Sequence, residues 1–200
     1  MPRRRTIRTL GVLFATALAV ALPAQASAEP APPGLPIEQL RAAAAPDPGA
    51  LRAVDDMLGG GTGSALFAPP PRNTPQPFMQ PAPTLGPGCG GGLVPYAMTT
   101  GWVQPGPNVN PDVQIGQLKI FVAPTIPVTP AAADLKFVWL NMETFRGGIE
   151  TLDDTIGGVP QLSKTVNTGT GPVLAALFGS INYTNGAFCQ VVYTMGGFFA

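Results

Sequence analysis

The stretch PVLAALFGSINY, residues 172–183, decides which fold the rest of the chain must serve. By propensity alone its Leu and Ala residues favour a helix. The run is short, however, follows Gly171 directly at Pro172, and leads into Asn185-Gly186, the residue pair that a type I′ hairpin turn favours. It therefore reads as a strand that turns back into AFCQVVYTMGGFF, residues 187–199. Across the region, buried-looking apolar residues on both faces of such runs suit a sandwich.

Working outward, the chain from Cys89 to Ala200 repeats this style. LVPYAMTTGWV (93–103), VQIGQLKIFVA (113–123), LKFVWLNMETF (135–145), GIETL (148–152) and LSKTVN (162–167) are short apolar runs. Turn-rich segments such as PGPNVNP, APTIPVTPAAAD, DDTIGG and NTGTGP separate them. About seven strands in roughly 110 residues predict an all-β fold, an antiparallel β-sandwich of immunoglobulin-like kind. Both cysteines lie near the ends of this region and not at the usual inter-sheet positions, so the exact topology stays open.

The N-terminus sets the compartment. Arg3, Arg4, Arg5 and Arg8 precede an apolar run from Leu10 to Leu22, and AQASA places Ala26 and Ala28 at the small positions of a cleavage site. Residues 1–28 read as a signal peptide, with Glu29 as the first mature residue. Four of the 11 basic residues leave with it while all 11 acidic ones remain, so the mature chain carries seven against 11, a net −4. A mildly acidic, charge-poor chain excludes nucleic acid and anionic lipid as electrostatic partners. There is no histidine, which removes the usual general base and the commonest transition-metal ligand. In an oxidising compartment the only two cysteines, Cys89 and Cys189, are expected to pair. Neither has a flanking cation to activate a thiolate.

Residues 29–88 differ in composition. They are rich in Pro, Ala and Gly and read as a largely disordered linker, with eight prolines between residues 68 and 88. PIEQLRAAAA and DPGALRAVDDMLGG are more periodic; the second offers a short helix over 48–58, with Asp47 as N-cap and Pro48 at the first helical position. Leu51, Val54, Met57 and Leu58 share one face of it, which suits docking, but so short an isolated helix is marginal in water, and a transient helix in a tether is the expectation. The domain proper is expected over 89–200.

Candidates for chemistry are few. Asp153 and Asp154, with Glu150 and Glu143 near in sequence, form the densest acidic group and suggest calcium or an acid/base pair, though turn composition and the lack of EF-hand spacing favour a solvated turn. Ser163-Lys164 suggests a serine and lysine dyad, but adjacent strand residues point to opposite faces. Trp102, between Gly101 and Pro105 near a loop, is the candidate ligand contact. With Trp139, Phe121, Phe137, Tyr183 and Tyr193 it suggests a platform for a carbohydrate or lipid, though such aromatics read chiefly as core. No catalytic residue, cofactor site or metal site is assigned.

TTGWVQPG, FVWLNMETFRGG, TVNTGTGPVLAALFGS and the terminal Cys-containing hairpin resemble small secreted actinobacterial proteins of uncharacterised function, over roughly residues 88–200. The resemblance implies an exported, cell-envelope-associated β-domain and brings no site residues with it. The expected function is a noncatalytic secreted or envelope interaction module whose partner is an envelope protein, a glycan or a lipid. The alternative is a histidine-free hydrolase of the envelope working through carboxylates such as Asp153 and Asp154.

Overall fold

The computed structural model describes residues 33–60, 74–92 and 94–200. Residues 1–28, expected to be a signal peptide, and the proline-rich stretch 61–73 lie outside them. In chain order the first elements are β1 (Leu35–Pro36), α1 (Ile37–Ala44), α2 (Pro48–Gly60), β2 (Gln76–Pro77), β3 (Ala82–Leu85), β4 (Tyr96–Thr99) and β5 (Gly101–Pro105). They are followed by β6 (Asn108–Val109), β7 (Asp112–Val113), β8 (Gln117–Val122), β9 (Pro130–Asn141) and β10 (Arg146–Thr151). The last are β11 (Thr155–Ile156), β12 (Val159–Pro160), β13 (Ser163–Asn167), β14 (Pro172–Tyr183) and β15 (Phe188–Phe199).

Two antiparallel sheets face each other. The larger has seven strands in the order β1-β10-β9-β14-β15-β3-β4, and the smaller has four, β13-β8-β5-β2. The expected sandwich is there, and every expected apolar run supplies a strand to it. Its strand order is its own: LVPYAMTTGWV is two strands, with β4 closing the edge of the larger sheet and β5 belonging to the smaller one. Thr100 stands at the crossing, and its carbonyl accepts from the Ala123 N–H at 2.9 Å.

The inner core explains the alternation. Leu135, Phe137 and Trp139 of β9 and Val173, Ala175, Leu177 and Ile181 of β14 face Val103, Leu118, Ile120 and Val122 of the smaller sheet. The residues between them, Val138, Leu140, Leu174, Ala176 and Phe178, point the other way into a second core. Leu40 and Ala44 of α1 and Ala50, Ala53, Val54 and Met57 of α2 complete that core. This is why PVLAALFG is apolar throughout: β14 is covered by a sheet on one face and by helices on the other. Gly179 is required within it, because a Cβ there, at φ +128°, would fall 2.0 Å from the Asp134 carbonyl oxygen.

The boundary expected at Cys89, and the transient helix expected over 48–58, are therefore corrected. Helix α2 is packed, and Asp47 caps it, its Oδ1 accepting from the backbone N–H of Gly49 at 2.9 Å and of Ala50 at 3.3 Å. Its Oδ2 accepts from Lys136 Nζ on β9 at 3.0 Å, so the cap also ties the helix to the sheet. Burial raises the Asp47 pKa, but the Lys136 hydrogen bond and the two N–H groups outweigh it and hold the carboxyl below its ordinary value. Gly34 closes over the Trp139 ring, and β1 extends the larger sheet beyond β10. A helix marginal alone is stable here because its apolar stripe meets a sheet face that needs covering.

Cys89 and Cys189 form the expected disulfide, both fully buried, with Cα atoms 5.4 Å apart. Cys89 lies in the loop between β3 and β4 and Cys189 on β15, so the bond staples the edge hairpin to its neighbouring strand in the same sheet. Trp139 Nε1 is buried without a hydrogen-bond partner among the described residues.

The helices roof only part of the larger sheet. On its outer face over β15, β3 and β4, the side chains of Leu85, Tyr96, Met98, Phe188 and Val192 are between 38 and 48 % exposed. The chain has no charged residue between Arg72 and Asp112 or after Lys164, so this part of the face is uncharged as well as apolar.

Candidate functional site

The outer face of the smaller sheet brings together four of the sequence candidates, Trp102, Phe121, Asp154 and Ser163. Strand register places Pro77, Trp102, Phe121 and Ser163 in one row across β2, β5, β8 and β13. Trp102 points outward because its neighbour Val103 points into the core; it is 38 % exposed. Phe121 lies directly across from it, and Lys119, two residues away on the same face, holds its ammonium 5.6 Å from the Phe121 ring centroid.

Beside this row rises the β11–β12 hairpin, which turns through Gly157 and Gly158, both with positive φ as a two-residue hairpin turn requires. Its base is closed by the Asp154 N–H donating to the Ser163 carbonyl at 3.2 Å and the Gln161 N–H donating to the Asp154 carbonyl at 2.9 Å. Between hairpin and sheet is an open hollow of about 500 Å³, lined by residues including Lys119, Phe121, Asp154, Ile156, Gln161 and Ser163. A second hollow of about 720 Å³ shares Gln161 and runs along the Pro124–Pro130 segment. On the other side of Trp102 is a small one of about 130 Å³, against Pro77, Phe78 and Thr100.

The adjacent aspartates and the adjacent Ser163-Lys164 answer each other in pairs. Ser163 Oγ donates to Asp154 Oδ2 at 2.7 Å, and Lys119 Nζ reaches the same oxygen at 3.0 Å. Lys164, whose side chain leaves the opposite face of β13, donates to Asp153 Oδ1 at 2.6 Å. Neighbouring strand residues point apart, so Ser163 and Lys164 make no dyad, and Asp153 and Asp154 are drawn to opposite faces. The Lys164 hydrogen bond holds the Asp153 carboxyl below its ordinary value, the reverse of what a general acid needs. Asp153 in turn raises the Lys164 pKa. Lys164 also sits opposite Ile120 on the edge strand, an inward-aimed charge of the kind that deters edge pairing.

The wider acidic group assembles only in part: Glu150 lies near enough to Lys164 to help Asp153 raise its pKa, but Glu143 does not join them. Glu143 lies against Gly171 at the far end of β9, where a Cβ would meet its Cδ at 2.7 Å. Among the described residues no three His, Cys, Asp or Glu side chains form a group that could hold a metal ion. Trp139, Phe137 and Tyr183 are core, as expected; Tyr183 also accepts the Thr125 N–H at 2.8 Å on its hydroxyl. Lys119 was not among the sequence candidates. The available signal was only its place in QLKIFV, where alternation puts Lys119 and Phe121 on the face opposite Leu118 and Ile120.

Chemically, the surface offers a pair of aromatic faces, one compensated Lys–Asp pair, a hydroxyl and an amide. That set can stack on and hydrogen-bond to a ligand. Comparison of the chain with family models, with curated proteins and with solved structures finds no match.

Proposed function

We propose that this protein is a noncatalytic, exported binding module that takes its ligand on the outer face of the smaller sheet. The observation that carries the reading is the Trp102–Phe121 pair, the tryptophan exposed and the phenylalanine half-buried beside it, bordered on either side by a hollow. Large aromatic side chains left exposed beside convergent polar groups are the usual signature of a recognition surface. The signal-like N-terminus, the buried disulfide and the resemblance to secreted actinobacterial proteins support an extracytoplasmic, envelope-associated setting. No helix among the described residues is long and apolar enough to cross a membrane. The hydrolase reading is less favoured because Asp153 and Asp154 each serve a separate lysine.

The test is co-sedimentation of the mature chain with insoluble envelope material from the source cells. Wild type should pellet, Trp102→Ala should pellet at least about tenfold less, and Asp154→Asn should leave the material chemically unaltered, as wild type does. Release of soluble fragments by wild type but not by Asp154→Asn would overturn the reading in favour of hydrolysis. Equal pelleting of Trp102→Ala would remove the proposed face.

A further inference from the structure

We infer that the ligand of this face is a neutral, polyhydroxylated saccharide chain, an assignment that rests on the binding-module reading above. Two aromatic rings alone do not choose among ligands, since a sugar ring, an acyl chain and a peptide side chain all stack on them. The groups beside the rings make the choice. Asp154 offers acceptors, Lys119 offers donors, the Ser163 oxygen, whose proton goes to Asp154, offers an acceptor, and the Gln161 amide offers both, all lining one hollow next to Phe121. A sugar hydroxyl donates and accepts at once, so it satisfies either side of such a set. An acyl chain would take water from the Lys119–Asp154 pair and the Gln161 amide and return no hydrogen bond to them, at a cost.

Charge narrows the class further. Lys119, the cation lining the hollow, is already paired with Asp154 at 3.0 Å. The hollow is therefore locally neutral. An anionic polymer would have to displace Asp154 to reach the ammonium, and a cationic one would have to displace Lys119; an uncharged polyol does neither. The shape points to a chain and not a single ring. The surface runs from the small hollow at Pro77, past Trp102 and Phe121, to Gln161, and on into the hollow beside the Pro124–Pro130 segment. Volumes of about 500 and 720 Å³ are of the size that small-molecule sites have.

Trp102 also makes the inference easy to read. The chain has two tryptophans, and Trp139 is 2 % exposed, so changes in exposed indole fluorescence report on Trp102. Cellohexaose, maltohexaose and chitohexaose are titrated into the full mature protein while tryptophan emission and acrylamide quenching are followed. Polygalacturonate and phosphatidylcholine vesicles serve as the acidic and lipid comparisons.

At least one neutral hexasaccharide should shift the emission and protect Trp102 from acrylamide at concentrations up to about 10 mM, which nearly saturates even a ~1 mM site. Its affinity should change less than about twofold between low and high salt, since no net charge is involved. Gln161→Ala, which leaves both rings in place, should weaken it severalfold, and Trp102→Phe should retain more of the affinity, followed by calorimetry, than Trp102→Ala. Failure of all three hexasaccharides, while envelope sedimentation still depends on Trp102, overturns the saccharide and leaves the module standing. Preferential binding of polygalacturonate with steep salt dependence, or of the vesicles, overturns it likewise. If sedimentation is also independent of Trp102, the module reading falls with it.

Discussion

Over β10, β9 and β14 the outer face of the larger sheet lies beneath α1 and α2, whereas the outer face of the smaller sheet carries an exposed Trp102 beside a half-buried Phe121. The first face is apolar beneath the helices except for Lys136, which holds the Asp47 cap of α2. The second alternates aromatic with polar side chains and has hollows on either side. On the function proposed above, the difference separates two tasks: the helix-covered face holds the fold together, and the open face is left for recognition. A third surface, the bare uncharged end of the larger sheet at Leu85, Tyr96 and Met98, resembles the covered face in composition and the open one in exposure.

If this division is right, removing the helices should do the greatest damage. A chain beginning at residue 61 uncovers Val138, Leu140, Leu174, Ala176 and Phe178 at once. It should fail to reach a cooperative fold, binding apolar dyes and yielding to protease throughout. A fragment that unfolds with the same midpoint as the mature chain would show that the helices are ornamental.

The staple comes next. Cys189→Ser opens a loop spanning 100 residues and should cost about 2–5 kcal/mol, read as a lower denaturation midpoint. Because the bond lies away from Trp102, binding measured where the variant is still folded should persist. Loss of binding in a fully folded variant would join the two surfaces that are here held separate.

Much of this architecture is visible in the amino-acid order, and what is missed has identifiable causes. Short apolar runs, the Asn185-Gly186 turn and the lone cysteine pair announce the sandwich and its disulfide. The N-cap at Asp47 is legible too. That α2 docks is not, because its partners on β9 and β14 are far away in sequence and an isolated helix of this length is unstable. Strand β15 also hides a break in its alternation. Leu177 pairs with Thr194 and Gly179 with Val191, so Val192 and Tyr193 together oppose Phe178 in a bulge. This lets Cys189 and Val191 face the inner core before the bulge and Phe198 face it after. Proline-rich β2 and β3 were hidden by composition, although proline is tolerated at short, edge-like pairings such as these. The site is least legible of all, since Lys119 and Asp154 meet across 35 residues.

A smaller effect should follow from the helix cap. Asp47→Ala should cost about 1 kcal/mol at neutral pH, partly screened because the carboxylate is a third exposed. The Asp47 pKa is lowered in the folded state from an ordinary value of 3.8. Its contribution is therefore fully present above that value and is lost as pH falls through the lowered one. Wild type and variant should converge in strong acid. An Asp47→Ala penalty that persists there would mean that the lost contact was not ionic.

Smallest in stability is the change that should matter most for recognition. Trp102→Ala removes an outward side chain from the smaller sheet and should move unfolding free energy by no more than about 0.5 kcal/mol. A loss of several kcal/mol would place Trp102 in the framework and not on its surface.

The division itself is tested most directly by amide hydrogen exchange of the mature chain with and without bound envelope material. New protection should appear along β5, β8 and the β11–β12 hairpin around Trp102, Lys119 and Ile156, with exchange over α1 and α2 unchanged. Protection confined instead to β15, β3 and β4 would contradict it and would make the bare end of the larger sheet the binding face.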